Sequence, residues 1–259
     1  MAAGIDHPNY LAEPDLSGHR ILITGAGRGI GRGMAEAFIT WGARVAVADI
    51  SGPLAADTAA ACGPLCSAVQ IDVTDESAVE RGIEVAWQAM DGIDLLVNNA
   101  GVLSVATVAE MTLAQWNQVM SVNATGVFLM SRAVVRQMRH HARPGSILSL
   151  SSIAGRRGDP RLAHYSASKF AVVGFTQALA QEVAGDDILV NAICPGLVQS
   201  AMIGALAAGT GTTTDDWLAA QAIRRSQSPR DIAFAAAFLH LSRAVTGQAI
   251  NVDGGTLFN

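Results

Sequence analysis

The stretch Ile21-Leu22-Ile23-Thr24-Gly25-Ala26-Gly27-Arg28-Gly29-Ile30-Gly31 decides the fold. A short apolar run that ends in glycines reads as a buried strand entering a tight turn, and the pattern from about Gly29 to Trp41 reads as the helix that follows. The glycines fit G-x-x-x-G-x-G through Gly25, Gly29 and Gly31. They do not fit G-x-G-x-x-G, because Ile30 stands where the third glycine would fall counting from Gly25. Glycine at such a turn lets the backbone approach a pyrophosphate closely, while free amides at the helix start supply hydrogen bonds and positive potential. Arg28 and Ile30 join the three glycines as candidate cofactor contacts. Glycines also end strands for purely structural reasons, so the cluster needs support from further along the chain.

That support comes from repetition. Arg44-Val45-Ala46-Val47-Ala48-Asp49 is apolar in the manner of a strand covered on both faces. Further strands are expected near 67–71, 93–97, 146–150, 188–193 and 249–252, with helical patterns between them. Parallel strands must be joined by crossovers, so this alternation predicts an α/β, Rossmann-type, doubly wound three-layer sandwich with a seven-stranded parallel sheet. Residues 1–18 read as a polar leader and 19–259 as one catalytic domain. The segment 198–228 breaks the rhythm, and Ala207-Ala208-Gly209-Thr210-Gly211-Thr212-Thr213-Thr214-Asp215-Asp216 supplies small, turn-forming residues between two helix-like pieces. It is expected to be a substrate lid, with an ordinary surface insertion as the alternative.

Composition narrows the function classes. The chain has 259 residues, half of them hydrophobic, and a net charge of −5 spread over scattered groups, with no basic stripe for a nucleic-acid backbone. No apolar run is long enough to span a bilayer, and the first residues lack a secretory pattern, so a cytoplasmic protein without membrane or nucleic-acid partners is expected. Cys62, Cys66 and Cys194 are read as reduced structural thiols, and the C-x3-C pair has no histidine cluster to complete a metal site. Asn123-Ala124-Thr125 matches a glycosylation sequon, which is read as accidental.

Polar or small residues recur where strands end, at the edge where parallel sheets bind ligands. Asp49 lies 24 residues beyond Gly25 (49 minus 25), near the separation at which an acidic residue grips ribose hydroxyls. NAD is therefore expected, with NADP disfavoured by the carboxylate and only partly helped by Arg28. Asp72 and Val73 follow the third strand, where an adenine could be held, although Asp at a strand end is also common turn chemistry. Asn98-Asn99-Ala100-Gly101, Ser151-Ser152 and Pro195-Gly196 follow the next three strands, and Asn99, Ala100, Gly101, Pro195, Gly196 and Val198 are added as cofactor contacts.

Tyr165 and Lys169 stand four residues apart at the start of a predicted helix, so their side chains share a face. A free phenol titrates near 10 and would have to be lowered to roughly 7, about 4 kcal/mol, to accept protons at neutrality. Lys169 and an oxidised nicotinamide could supply that bias.

With these motifs in order, the chain resembles the short-chain dehydrogenase/reductase family from its first strand to Asn251-Val252-Asp253-Gly254-Gly255. The resemblance implies that Ser152 polarises the substrate oxygen, that Tyr165 exchanges the proton, and that Lys169 binds the nicotinamide ribose and lowers the tyrosine pKa. It also implies that Asn123 completes a proton relay through water, whereas a helix-interior amide bonded to backbone is the plainer reading. The family's threonine after P-G is here Ser200, which retains a hydroxyl for the carboxamide. His164 is read as structural or substrate-facing.

The expected reaction is hydride transfer between nicotinamide and a secondary alcohol or carbonyl. Polyols, sugars and small hydroxy compounds are preferred, and 3-oxoacyl thioesters are an alternative. A nucleotide-sensing protein without chemistry is the rival from another class, and an epimerase or dehydratase would need a larger carboxyl-terminal domain than the chain has. Arg156, Arg157 and Arg161 could meet an anionic substrate but are read first as solvated charges. The resemblance also implies a homotetramer with contacts from helices near 113–138 and 163–183.

Overall fold

A parallel strand with helices on both faces buries every side chain, and the inner strands of this chain are apolar enough to do so. In the computed structural model, which describes residues 13–199 and 201–258, β1 (Arg20–Thr24), β2 (Arg44–Asp49), β3 (Cys66–Gln70), β4 (Leu95–Asn98), β5 (Gly145–Leu150), β6 (Ile188–Pro195) and β7 (Ala249–Val252) form one parallel sheet in the order β3-β2-β1-β4-β5-β6-β7. Every residue of β4, β5 and β6 is buried, whereas β3 and β7, the two edges, are not fully covered. Pairing Thr24 with Ala48, Asn98 with Ser149 and Leu150 with Ile193 brings the carboxyl ends of the strands to one edge.

Alternation within each strand sends side chains to two cores. Ile21, Ile23, Val45, Val47 and Val97 meet α1 (Gly29–Thr40), α2 (Gly52–Cys62) and α9 (Pro229–Leu241), with Met34, Phe38, Ala55 and Ile232 between them. Leu22, Ala46, Leu96, Ile147 and Val190 meet α3 (Glu76–Met90), α5 (Gly126–His140) and α6 (Ala163–Glu182) through Ile83, Met130, Val134 and Leu179. Local signals start the helices where the sequence places them. Ser228 and Asp231 form a reciprocal cap at α9 with Pro229 in its first turn, and Asp75 accepts from the Ala78 amide at α3.

Two expectations are corrected in detail. The helix expected near 113–138 is α4 (Leu113–Met120), a single π-helical turn at Ser121–Thr125, and α5. The wider turn places Asn123, fully buried, in its middle. In the segment 198–228, α7 (Ala201–Thr210) runs through the small residues and α8 (Thr214–Ala219) begins at once, because Thr213 and Asp216 cap each other. Only 211–213 form the turn. At the other end of the chain Leu16 is fully buried and its amide donates to the Trp41 carbonyl at 2.8 Å, so packing begins before β1. The rest of the expected leader, 1–12, lies outside the described residues. Cys62, Cys66 and Cys194 are free thiols, and burial pushes Cys66 up to about 12, far from nucleophilic range.

At the opposite edge of the sheet from the glycine turn, His240 on α9 is hydrogen-bonded through Nδ1 to Ser146 and through Nε2 to His19 at 2.9 Å. Burial, with His19 and Arg243 adding to it and Asp94 opposing, pushes His240 down from 6.5 to about 4. A depressed folded-state pKa stabilises the protein above the unfolded value and withdraws that stability as pH falls through the folded one. The stability present at pH 7 is expected to fall by about 3 kcal/mol as pH is lowered from 6.5 through 4, from this group alone. Urea titrations across that window measure it, and His240→Gln should flatten the profile.

Candidate active site

The carboxyl edge of the sheet is assembled by hydrogen bonds between successive strand ends. Gly25 turns at φ +61°, where a Cβ would fall 2.7 Å from the Ala100 backbone, and a Cβ on Gly31 would meet the Ala26 and Gly25 backbones at 2.8 Å. Asn99 holds this turn, its Nδ2 donating to the carbonyls of Thr24 (2.8 Å) and Gly25 (3.0 Å). Thr24 Oγ1 accepts from the amides of Asn99 and Ala100, both at 3.1 Å. Thus Asn99 is committed to shaping the glycine turn. Thr24 does as much and was not singled out in the sequence, although it ends the strand that decides the fold.

Helix α1 begins beside this turn without a capping side chain and without an acidic residue in its first turn. Its first amides therefore lack the partners that capped helices have, which suits a phosphate. Arg28 and Gly29 are exposed there, Ile30 is half-buried and Gly31 is buried. Asp49 is buried at the end of β2, and its carboxylate accepts from the Gly27 amide at 2.9 Å and the Ser51 amide at 3.0 Å. The acidic residue is thereby fixed against the glycine turn. Asp72 Oδ1 accepts from the Thr74 amide and hydroxyl, closing a turn, and Val73 packs into the core.

Beyond β4, Gly101 lies near both Asn123 and Lys169: a Cβ there would be 3.4 Å from Asn123 Oδ1 and 3.7 Å from Lys169 Nζ. The Asn123 amide brackets Val102, accepting from its amide at 2.8 Å and donating to its carbonyl at 3.0 Å, and donates to Ser168 Oγ at 3.1 Å. Ser168 in turn donates to the Tyr165 carbonyl at 2.7 Å. The plainer reading of Asn123 accounts for its side chain, with the backbone partner in the loop after β4 instead of in its own helix.

Ser152 follows β5, its hydroxyl accepting from the Ala154 amide at 3.1 Å, and it faces the Tyr165 phenol on the first turn of α6, lowering the phenol pKa. Lys169, one turn further, is 5 % exposed, donates to the Leu150 carbonyl at 2.8 Å and sits 5.6 Å from the centre of the Tyr165 ring. Burial lowers Lys169 to about 8. Burial also raises Tyr165 above its ordinary value, and Ser152 opposes that only in part. Ser152, Tyr165 and Lys169 stand together, with Asn123 and Lys169 both near Gly101.

Across the cleft, Pro195 ends β6, and Gly196 donates to the Val252 carbonyl at 3.1 Å. The Gln227 amide donates to the Leu197 carbonyl (2.8 Å) and the Gln199 amide to the Gln227 carbonyl (3.2 Å), which ties the two ends of the 198–228 segment. Val198 lies between, its side chain buried and its own amide and carbonyl used in neither bond. Ser200 lies outside the described residues. Arg157 is exposed and faces Asp159 at 3.4 Å, in line with its reading as a solvated charge, whereas Arg156 departs from that reading, being half-buried and tied to the Ala249 carbonyl. The ties of His164 to Ser104 and of Ser151 to the Lys169 carbonyl had no local signal.

Residues 19–210 match the sequence model of the family described as short chain dehydrogenase. The chain is 36 % identical to a sorbitol dehydrogenase of Cereibacter sphaeroides over 257 residues, covering 93 % of this chain and 98 % of that one. It is 38 % identical to a galactitol 2-dehydrogenase of Agrobacterium fabrum, covering 90 % of this chain and 95 % of that one. A crystal structure of a 3-ketoacyl-(acyl-carrier-protein) reductase from Brucella melitensis complexed with NADH matches with a TM-score of 0.87 at 32 % identity, covering 93 % of this chain and 99 % of that one.

Proposed function

The chain belongs to the short-chain dehydrogenase family and is an oxidoreductase, and from that premise we propose that it interconverts a secondary alcohol and a carbonyl with NAD, using Tyr165 as the proton-exchanging group. One observation carries the reading: Tyr165 follows the carboxyl end of β5 at the first turn of α6 facing Ser152, with the buried Lys169 ammonium one turn further on and 5.6 Å from the centre of its ring.

When bound, the nicotinamide accepts or supplies the hydride at the substrate carbon. The glycine turn and the uncapped start of α1 suit its pyrophosphate, with Gly25, Arg28, Gly29, Ile30 and Gly31 nearest, and Asn99, Ala100 and Gly101 form the adjoining wall. Asp72, Val73, Pro195, Gly196, Val198 and Ser200 are proposed as the remaining contacts. In carbonyl reduction Tyr165 gives its proton to the substrate oxygen, and Ser152 donates a hydrogen bond to the same oxygen as negative charge develops on it. In alcohol oxidation both steps reverse. Lys169 holds a positive charge close enough to favour the phenolate, and Asn123 keeps Lys169 and the loop after β4 in register.

Asp49 supports NAD over NADP, because a 2′-phosphate would bring negative charge against a carboxylate already fixed at the glycine turn. A panel of polyols, secondary alcohols, ketones and 3-oxoacyl thioesters, followed by nicotinamide absorbance with each dinucleotide, tests the whole reading. We expect kcat/KM with NAD to exceed that with NADP on the order of a hundredfold, about 3 kcal/mol, and Asp49→Ala to narrow the ratio to about tenfold or less. No turnover by any member would favour the nucleotide-sensing alternative.

Polyols, sugars or small hydroxy compounds are the preferred substrates, and the sorbitol and galactitol dehydrogenases among the relatives support that choice. The 198–228 segment, held at both ends and helical between them, is proposed as the lid over the substrate. The exposed Trp116, Phe128 and Phe170 on α4, α5 and α6 support self-association, and a homotetramer and a cytoplasmic location are proposed with it.

A further inference from the structure

We propose that Ser104, oriented by His164, reads the substrate: its hydroxyl donates a hydrogen bond to a second oxygen on the carbon next to the reacting one. This rests on the dehydrogenase reading above and names the substrate class within it, a vicinal diol or the corresponding hydroxyketone.

His164 is fully buried on the first turn of α6, immediately before Tyr165. Its Nε2 lies 2.6 Å from Ser104 Oγ, and its Nδ1 is buried without a hydrogen-bond partner among the described residues. A neutral imidazole carries one N–H, so two arrangements are open. If Ser104 donates to Nε2, the N–H sits on Nδ1 as a buried donor with no acceptor. If Nε2–H donates to Ser104, Nδ1 carries a bare lone pair, which is the milder defect. The second arrangement leaves the Ser104 hydroxyl proton free to donate elsewhere. Burial depresses the His164 pKa, which keeps the ring neutral as this requires.

The loop carrying Ser104 is fastened on both sides. Asn123 brackets Val102, and the Ala106 amide donates to the Arg161 carbonyl at 3.0 Å. Leu103 and Val105 join an apolar cluster with Tyr165, Leu162, Ala154 and Leu206 of α7. Half-buried Ser104 thus lies between two residues of the apolar cluster that holds the Tyr165 side chain, and is tied to the residue that precedes Tyr165. A substrate with a single oxygen would leave this hydroxyl without an acceptor once the cleft closes, whereas a neighbouring oxygen would accept from it. Sites built around such a bond discriminate against analogues that lack the oxygen.

The test compares NADH-dependent reduction of matched pairs, acetoin against butanone and hydroxyacetone against acetone. Wild type should prefer the hydroxyketone of each pair in kcat/KM. Ser104→Ala and His164→Leu should each shrink that preference about tenfold, the worth of one hydrogen bond. His164→Gln keeps an amide donor toward Ser104 and should retain most of the preference. A merely structural histidine would instead lower both ketones in proportion, together with the melting temperature. Wild type that lacks the preference, or a Ser104→Ala variant that keeps it, overturns the assignment of Ser104 alone. Wild type inert toward both pairs and toward the whole alcohol and ketone panel overturns the dehydrogenase reading and this inference with it.

Discussion

Tyr165→Phe is expected to lower kcat roughly a thousandfold while leaving the dissociation constant for NADH within about threefold, since positioned acid–base groups are worth about 10²–10⁴. The ring would stay. Tyr165 packs with Val119, Ala154 and Leu162, and removing one oxygen leaves those contacts and the start of α6 intact. What disappears is the hydroxyl that faces Ser152 on a ring whose centre lies 5.6 Å from the Lys169 ammonium. Burial holds the phenol above its ordinary pKa in the chain alone, and positive charge from Lys169 and from an oxidised nicotinamide, when bound, would favour the phenolate. The loss should fall on kcat and kcat/KM together, the pattern of an interaction made in the transition state. Steady-state kinetics beside an NADH fluorescence titration measures both quantities. Turnover within tenfold of wild type would remove Tyr165 from the mechanism.

The sequence makes the sheet legible because an inner parallel strand must be apolar throughout and must end where the chain turns. Ile21 to Gly31 shows both features in eleven consecutive residues (31 minus 21, plus one). The seven strands follow from that logic, with ends displaced by one or two residues, as at β3 and β4. The 198–228 segment is harder to read, since the small residues 207–210 extend a helix as readily as they form a turn, and the reciprocal Thr213 and Asp216 cap decides. Tyr165 and Lys169 were legible as one face of one helix. The supports of the site were not, because each joins residues far apart in the chain: Asn99 to Thr24, Asn123 to Val102, and His164 to Ser104 sixty positions away. Periodicity reports which way a side chain points, and a polar tie between two loops leaves no period to read.

Lys169→Met should abolish most activity and yet make the protein more stable. Its ammonium is 5 % exposed, and burial lowers its pKa from 10.5 to about 8. Because the folded value is depressed, the stability linked to this lysine is present above pH 10.5 and is lost as pH falls through about 8. At neutral pH both states are charged and the whole cost of burying the ammonium, about 3 kcal/mol, is carried by the folded state. Methionine fills a similar volume without the charge. It also leaves the Leu150 carbonyl without its 2.8 Å donor, which returns roughly 1–2 kcal/mol of that gain. The net expectation at pH 7 is a stabilisation of about 1–2 kcal/mol by urea denaturation, with kcat/KM down by about a hundredfold or more. Between pH 8 and pH 10 wild-type stability should climb toward that of the variant, because the lysine alone sheds its proton in the folded state there. A variant that loses stability at pH 7 as well as activity would mean that Lys169 serves the fold, through Leu150, before it serves the proton on Tyr165.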